Sequence, residues 1–369
     1  MTSTTSSPAT TASGDGIDLK RVKAFAGRVM RGYAESMVTL MVDLAGRTGL
    51  LDALAAGPGT SAELADRAGL TERYVREILN SLVTGEIVEY EPAGAVYTLP
   101  REHAICLTGD GVRNMTPVSR VTTLLAQQVA AVAQAVRDGG GVPYEAFQPH
   151  FTEIMDAMSR GRMDGVLLTG ILPTTGALPS LLEAGARVAD IGCGTGHAAN
   201  LMAQAYPRSQ FVGYDLGRDA IAAATAEAGE MGLSNARFEV LDVTELPTDP
   251  PFDAVFAFDS IHDQVDPAGV LARVHEALVP GGTFVMVDIK ASSRLEDNIG
   301  NPYAPWLYGV STLHCMTVSL AHGGAGLGTA WGEQLARQML EEAGFVDVSV
   351  HDIPDVPYNQ TYLCSKPTT

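Results

Sequence analysis

Three closely spaced glycines after a short apolar run are the strongest chemical signal in this sequence. The run VADI at 188–191 leads directly into GCGTG at 192–196, and a helical pattern follows. Glycines let the backbone turn tightly and approach a ligand without a Cβ atom in the way. The unpaired N–H groups at the start of the next helix can bind a carboxylate. The loop is therefore a candidate ligand site.

Acidic residues at the ends of successive β-rich runs narrow the choice of ligand. Asp215 ends the second run, where its carboxylate can accept hydrogen bonds from a ribose diol. Asp242 ends the third run, where it can reach an adenine amine, and Asp259 ends the fourth. The glycines alone also fit a dinucleotide-binding fingerprint. Asp242, Asp259 and the run LVPGG at 278–282 favour a different ligand that also contains ribose and adenine.

The elements that must position these residues alternate between strand and helix. Five β-rich runs begin at Arg187, and helical stretches separate most of them. This alternation is typical of a doubly wound parallel sheet. A polar, Gly-rich segment at 291–330 precedes one more helix and the final strands FVDVSVHDI and QTYLCSK. The predicted fold class is α/β.

The ordered set of motifs over roughly 185–365 resembles the class I methyltransferases that use S-adenosylmethionine (SAM). The resemblance implies a Rossmann-like, seven-stranded sheet whose last two strands form a hairpin, with one strand antiparallel. It also implies SAM as the cofactor. By motif, the methionine part of SAM contacts Asp190, Gly192, Gly194 and Gly196, the ribose lies beside Asp215 and Leu216, the adenine lies beside Asp242 and Val243, and Phe258 and Asp259 complete the site.

Before the sheet, the pattern of helix, turn, helix and hairpin predicts a winged helix. Thr60 or Ser61 can cap a short helix that Gly69 ends, and Thr71 caps the next helix, which stops at Gly85. Two short strands follow. The expected organisation is a disordered tail at 1–17, a winged-helix and dimerisation domain at 18–110, a helical linker and cover at 111–180, and the SAM-binding domain at 181–369.

A second resemblance involves the whole length of the chain. The winged helix, the sheet and the run Ser260-Ile261-His262-Asp263 resemble the small-molecule O-methyltransferases of plants and bacteria, and mycobacterial winged-helix methyltransferases are also similar. The resemblance implies that His262 is the general base. Gln264 stands where those enzymes have Trp. An F-x-x-x-M-x-x-x-S helix implies that Phe151, Met155 and Ser159 face the cofactor.

Two other functions stay open. In transfer to carbon or nitrogen, for example on an isoprenoid or another natural-product precursor, Glu153 is the candidate base, and Phe151, Trp306 or Tyr303 would shield a carbocation. The second open function is that of a DNA-binding regulator that responds to SAM and binds DNA through the winged helix-turn-helix.

Several polar residues near these motifs are expected to have ordinary roles. Glu153 and Asp156 are expected on a solvated helix face, and His314 and His322 are expected to be structural, although either histidine could orient the substrate. No constellation of metal ligands stands out.

Composition limits the partners and the location. The net charge of −19 lacks the basic footprint of a nucleic-acid binder. The four scattered cysteines fit a reducing cytoplasm, and no apolar stretch approaches 18 residues. Apolar helical positions at 18–56 and 112–137 exceed what a small winged helix can bury, so we expect a homodimer. The expected partner is a small-molecule substrate, without nucleic acid or membrane.

Overall fold

The computed structural model describes residues 16–148 and 150–369. Residues 1–15, most of the expected tail, lie outside the described residues. The described chain divides into two compact units, one up to Thr108 and the other from Gly109 to Thr369.

The first unit has the helix-turn-helix and hairpin that the sequence predicts. The side chain of Thr60 and that of Glu63 cap each other at the start of the third helix, and Gly69 ends it in a left-handed conformation. The buried core contains Leu79 and Leu82 from the fourth helix. The elements are α1 (Leu19–Arg47), α2 (Leu50–Ala55), α3 (Ser61–Ala68), α4 (Glu72–Thr84), β1 (Glu89–Glu91), β2 (Val96–Thr98) and α5 (Arg101–Leu107).

The second unit begins with helices and continues into a sheet with helices on its faces. The helical part contains α6 (Thr116–Ala126), α7 (Val129–Asp138), α8 (His150–Val166), a π-helical turn (Leu167–Ile171) and α9 (Leu178–Ala184). The sheet and its helices are β3 (Arg187–Ile191), α10 (His197–Ala205), β4 (Gln210–Asp215), α11 (Arg218–Glu230), β5 (Ala236–Val240), β6 (Phe252–Phe258), α12 (Pro267–Ala277), β7 (Leu278–Ile289), α13 (Leu295–Asn298), α14 (Ala304–Leu313), α15 (Cys315–Ala321), α16 (Glu333–Glu342), β8 (Val346–Ile353) and β9 (Val356–Ser365).

Within the described part of the chain, the sheet has seven strands in the order β5-β4-β3-β6-β7-β9-β8. Strands β3 to β7 pair in parallel, and β9 runs antiparallel to both of its neighbours. The predicted seven-stranded sheet with a final hairpin is therefore confirmed. The strand order reverses beside β3, which is where open α/β sheets bind ligands at the carboxyl ends of their strands.

The segment 291–330 is more ordered than its polar, Gly-rich sequence suggests. It contains α13, α14 and α15. Trp306, Val310 and Leu313 of α14 pack against a hydrophobic cluster that includes Phe147 and Phe151. These apolar contacts stabilise a helix that sequence periodicity alone did not indicate.

Among the described residues, no single helix is both long and apolar enough to span a membrane. One bent pair of helical segments, His150–Thr175 with Leu178–Ala184, is long and apolar enough by length and composition only.

Candidate cofactor and acceptor site

The glycine loop joins β3 to α10 at the carboxyl edge of the sheet. A Cβ atom on Gly196 would lie 2.4 Å from the Phe238 ring, so that glycine permits close packing. A Cβ atom on Gly194 would meet nothing within 4 Å, and its φ is +53°. The space beside Gly194 is therefore open, as a loop that holds a ligand requires.

Asp215, at the end of β4, fixes the shape of this loop. Its Oδ2 accepts a hydrogen bond of 2.8 Å from the Gly194 N–H, and its Oδ1 accepts one of 2.8 Å from the Gly217 N–H. Burial raises the pKa of its carboxyl group. Because each carboxylate oxygen has two lone pairs, Asp215 can hold the loop and still accept a hydrogen bond from a ribose hydroxyl.

Asp190, on β3, is a buried carboxyl group without a full set of partners. It is 2% exposed, and its Oδ1 has no hydrogen-bond partner among the described residues. Burial, and then the charge of Asp215, raise its pKa to about 8. A cationic group at this position would favour the ionised carboxylate, and the ammonium group of SAM is such a cation. The residues therefore fit SAM.

The predicted ribose and adenine residues lie at the same edge. Leu216 follows β4 and is 68% exposed. The Oδ1 of Asp242 accepts hydrogen bonds from the backbone N–H and the hydroxyl of Thr244, at 3.0 and 2.7 Å. Val243 is buried in the core. The exposed side chain of Leu216 is thus available to a ligand, whereas the side chain of Val243 is occupied by packing.

The residues at the end of β6 have partners of their own. Phe258 stacks on Phe256 with ring centroids 5.8 Å apart. The carboxylate of Asp259 pairs with Arg162 at 2.6 Å and accepts a hydrogen bond of 2.6 Å from Asn359. Asp259 therefore joins α8, β6 and β9, and a contact of its side chain with the cofactor stays a prediction.

The helix α8 carries the expected Phe, Met and Ser residues. Met155 and Phe151 belong to a hydrophobic cluster in which Phe151 stacks on His314. The Ser159 hydroxyl donates to the Asp156 carbonyl at 3.2 Å. Phe151 is therefore packed in a cluster of side chains, and its contact with the cofactor is not established by this packing.

A polar network that the sequence did not indicate connects α8 to the glycine loop. The Asp156 carboxylate accepts a hydrogen bond from the Thr195 hydroxyl and pairs with Arg160 at 3.1 Å. Arg160 also contacts Glu227 on α11 and His197 on α10. The expectation of a solvated face is wrong for Asp156, whose side chain is 24% exposed and contacts the loop. This part of α8 therefore contacts the glycine loop through Asp156.

Glu153, on the same helix, has a different environment. Its side chain is 74% exposed, and its carboxylate lies 3.6 Å from the Nδ1 of His150. A general base must face the proton that it removes. The expectation of a solvated position therefore describes Glu153 well, and this placement gives no support to its role as a base.

His262 forms a buried pair with an acid that the sequence analysis missed. Its Nδ1 lies 2.8 Å from the Oδ1 of Asp288, and both side chains are 5% exposed or less. Burial lowers the pKa of His262, but the charges of Asp288 and Cys315 and the hydrogen bonds with them together raise it well above the usual value. Asp288 lies near the end of β7, so its position at the carboxyl edge was the available signal. The arrangement is that of a histidine oriented by a carboxylate.

The turn that carries His262 is braced by its neighbours. The Gln264 amide donates a hydrogen bond of 2.6 Å to the Ser260 carbonyl, and the Ser260 hydroxyl donates to the Ile191 carbonyl at 2.9 Å. Gln264, at the position where the resembling enzymes have Trp, thus stabilises the turn between β6 and His262.

Comparison with known families agrees with this fold. Residues 182–344 match the methyltransferase domain family, and residues 36–109 match the family of Rv2258c-like winged HTH domains. The chain combines a winged helix-turn-helix domain with a class I methyltransferase domain. A ubiquinone/menaquinone biosynthesis C-methyltransferase UbiE from Desulfotalea psychrophila is 31% identical over 169 residues, which are 44% of this chain. The match spans 66% of that relative's length.

Solved structures resemble the chain over nearly its whole length. PigF with SAH has a TM-score of 0.70 at 18% identity, and the match covers 93% of this chain and 99% of that one. The mitomycin 7-O-methyltransferase MmcR has a TM-score of 0.70 at 17% identity, with 94% and 100% covered. At these identities the likeness shows the fold alone, and the matches cover both domains.

In the winged helix-turn-helix domain, α4 is the helix that would read DNA. Its arginines are already paired, Arg73 with Glu77 at 2.5 Å and Arg76 with Glu72 at 3.1 Å. Reading a major groove requires free basic or amide groups.

In the methyltransferase domain, the described residues include no group of three or more His, Cys, Asp or Glu side chains placed to hold a metal ion.

Proposed function

We propose that the chain is a SAM-dependent methyltransferase that acts on a hydroxyl group of a small molecule, with His262 as the general base. The observation that carries this proposal is the buried pair of His262 and Asp288, which lies at the edge of the sheet where the glycine loop also lies. A base is required because a neutral hydroxyl must lose its proton on methylation, whereas an already ionised acceptor needs none.

Each residue of the site has a defined part in this reaction. SAM, when bound, supplies an electrophilic methyl group on a positively charged sulfur. His262 accepts the hydroxyl proton at its Nε2, since its Nδ1 is held by Asp288. Asp288 orients the imidazole ring and stabilises the imidazolium that forms. Alignment of the two reactants by the pocket supplies much of the remaining acceleration.

The proposed cofactor contacts follow from the loop and the adjoining acids. The open space at Gly194 accepts the methionine part of SAM, and Asp190 pairs with its ammonium group. Asp215 and Leu216 contact the ribose, and Asp242 contacts the adenine. Met155 and Ser159 approach the cofactor from α8, whose Asp156 already contacts the loop.

The alternative is transfer to carbon or nitrogen. The similarity to the C-methyltransferase from Desulfotalea psychrophila favours it. Glu153 is exposed, so this alternative would have to use another base or none. The two functions differ in the atom that receives the methyl group, and a product analysis separates them.

The decisive experiment is a screen of candidate acceptors with isotopically labelled SAM, followed by identification of the methylated atom. The proposal expects an O-methyl product, and it expects His262→Ala to lower kcat by about 10²–10⁴-fold while SAM binding stays within a few fold. A C- or N-methyl product, or an active His262→Ala enzyme, would contradict it. The exposed His322→Ala variant is the matched control.

We also propose that the protein acts as a homodimer in the cytoplasm, in small-molecule or secondary metabolism. The support for the dimer is an apolar stripe on α1, which includes Val22, Tyr33 and Met37, exposed by 49%, 64% and 58%. The support for the location is that all four cysteines are free thiols. Binding to nucleic acid is not proposed, because the arginines of α4 are paired.

A further inference from the structure

His314 lies in the methyltransferase domain at the junction between α14 and α15. Its side chain is buried, with the residue 1% exposed, and neither ring nitrogen has a hydrogen-bond partner among residues 16–148 and 150–369. Buried polar groups in native proteins nearly always have a partner, and those without one need a specific explanation. A bound molecule is such an explanation.

An aromatic cage surrounds His314. The Phe151 ring stacks on the imidazole with centroids 3.7 Å apart, and Phe147 and Tyr144 approach edge-on at 4.6 and 6.1 Å. Phenylalanine would fill this space without leaving polar atoms unpaired, so packing alone does not explain an imidazole here. We refer to Tyr144, Phe147 and Phe151 as the aromatic cage.

The cage is close to the proposed base. Cys315, the residue after His314, is near enough to His262 to affect its pKa, and the charge of His262 in turn acts on His314. Burial, and then that charge, lower the pKa of His314 to about 3. His314 is therefore neutral, with one nitrogen that donates and one that accepts, and it is too weak a base to take the hydroxyl proton.

We propose that His314 binds the methyl acceptor by hydrogen bonding to a second polar group on an uncharged aromatic molecule, whose reacting hydroxyl lies at His262. This inference rests on the proposed function. The aromatic cage makes the surroundings of His314 apolar, which favours an aromatic ring over a polar one in the acceptor. The nearby carboxyl groups of Asp215, Asp263 and Asp288 disfavour an anionic acceptor, because like charges repel. His314 is thus a specificity residue, whereas His262 moves the proton.

Two simple probes test this proposal without turnover. Catechol has a second hydroxyl beside the first, and phenol lacks it. Both are titrated into the protein saturated with S-adenosylhomocysteine, and the histidine ring signals of ¹⁵N-labelled protein are followed by NMR. Catechol should shift the His314 signals and bind more tightly than phenol.

Variants then separate a binding role from a structural one. His314→Phe should fold with an unchanged or higher Tm and should weaken catechol binding about tenfold, as expected for one lost hydrogen bond, without affecting phenol. His314→Asn, which keeps a donor and an acceptor, should restore most of the catechol affinity. His322→Phe, at an exposed histidine of the same segment, is the control.

The outcomes distinguish this inference from the proposed function. Equal catechol binding by the parent and His314→Phe, no catechol binding by the parent, or a Tm of His314→Phe lowered by several degrees would each overturn the role of His314. A protein that does not bind SAM, or forms no O-methyl product in the acceptor screen, would instead overturn the proposed function.

Discussion

At the scale of single residues, Asp190 connects protonation to ligand binding. Its pKa is raised from the ordinary 3.8 to about 8 by burial and then by Asp215. Between these two values the folded protein holds a proton that the unfolded chain has released. The free energy of unfolding without ligand therefore falls as the pH rises through this window. A cation bound beside Asp190 favours the ionised carboxylate, so binding of the cation should release the proton of Asp190.

We predict that SAM binding at pH 7 releases a proton in the parent protein and none in Asp190→Asn. Calorimetry in two buffers of different ionisation enthalpy measures this difference directly. The variant should also bind SAM about tenfold to a hundredfold more weakly, because a charge-assisted hydrogen bond is lost. Asp190 contributes to the fall in unfolding free energy of the parent between pH 4 and 8, and this contribution should be absent from the variant. Equal proton release from both proteins would show that Asp190 does not meet the ammonium group.

The pair of His262 and Asp288 predicts a pH profile with a defined direction. A base must be neutral to accept a proton, and Asp288 raises the pKa of His262. The kcat/KM for the acceptor should therefore rise with pH through a pKa above the usual value of His. In Asp288→Asn this limb should move to lower pH, and the maximum rate should drop.

Other groups also act on this histidine, so a control is needed. Asp263 and Cys315 also interact electrostatically with His262, and both residues are retained in Asp288→Asn. Asp352→Asn removes an exposed carboxylate of β8 that pairs with Lys290. This variant should have the same pH profile as the parent. An acid limb that stays in place in Asp288→Asn would rule out His262 as the titrating base.

At the scale of elements, the glycine loop separates ligand space from packing. Gly194→Ala places a methyl group in open space, at a cost of about 1 kcal/mol for the left-handed backbone. Gly196→Ala drives a methyl group into Phe238 and Ala224. We predict that Gly194→Ala folds but loses most SAM affinity, whereas Gly196→Ala loses more stability. Thermal unfolding with and without SAM compares the two, and normal SAM binding by Gly194→Ala would contradict the assignment of the open space.

The helix α1 gives a second prediction at this scale. Val22, Tyr33 and Met37 lie on one side of it, and Glu35 lies on the opposite side at about 100° per residue. We predict a dimer in light scattering at micromolar concentration, and a monomer for the double variant Val22→Ser with Tyr33→Ser. Glu35→Ser, the control on the polar face, should remain dimeric. A monomeric parent protein would refute the proposed interface.

At the scale of the whole molecule, the sheet was predictable because its strands repeat a local pattern. The first four β-rich runs end in motif residues, and Asp190 and Asp215 lie in β3 and at the end of β4, as those motifs predict. The pairing of His262 with Asp288 was not predictable, since it joins residues on two different strand ends. The helix α14 and the contact of Asp156 with Thr195 depend on packing between distant segments, which periodicity does not report.

The position of β9 between β7 and β8 has a consequence for synthesis on the ribosome. Among the described strands, the edge strand β8 pairs only with β9, which follows it in the chain. While the protein is being made, β8 therefore leaves the exit tunnel before its single neighbour exists, although β3 and the glycine loop are already available for folding. Asn359, which holds Asp259, also belongs to β9. One corner of the cofactor edge must stay unfinished until residues 356–365 have been translated.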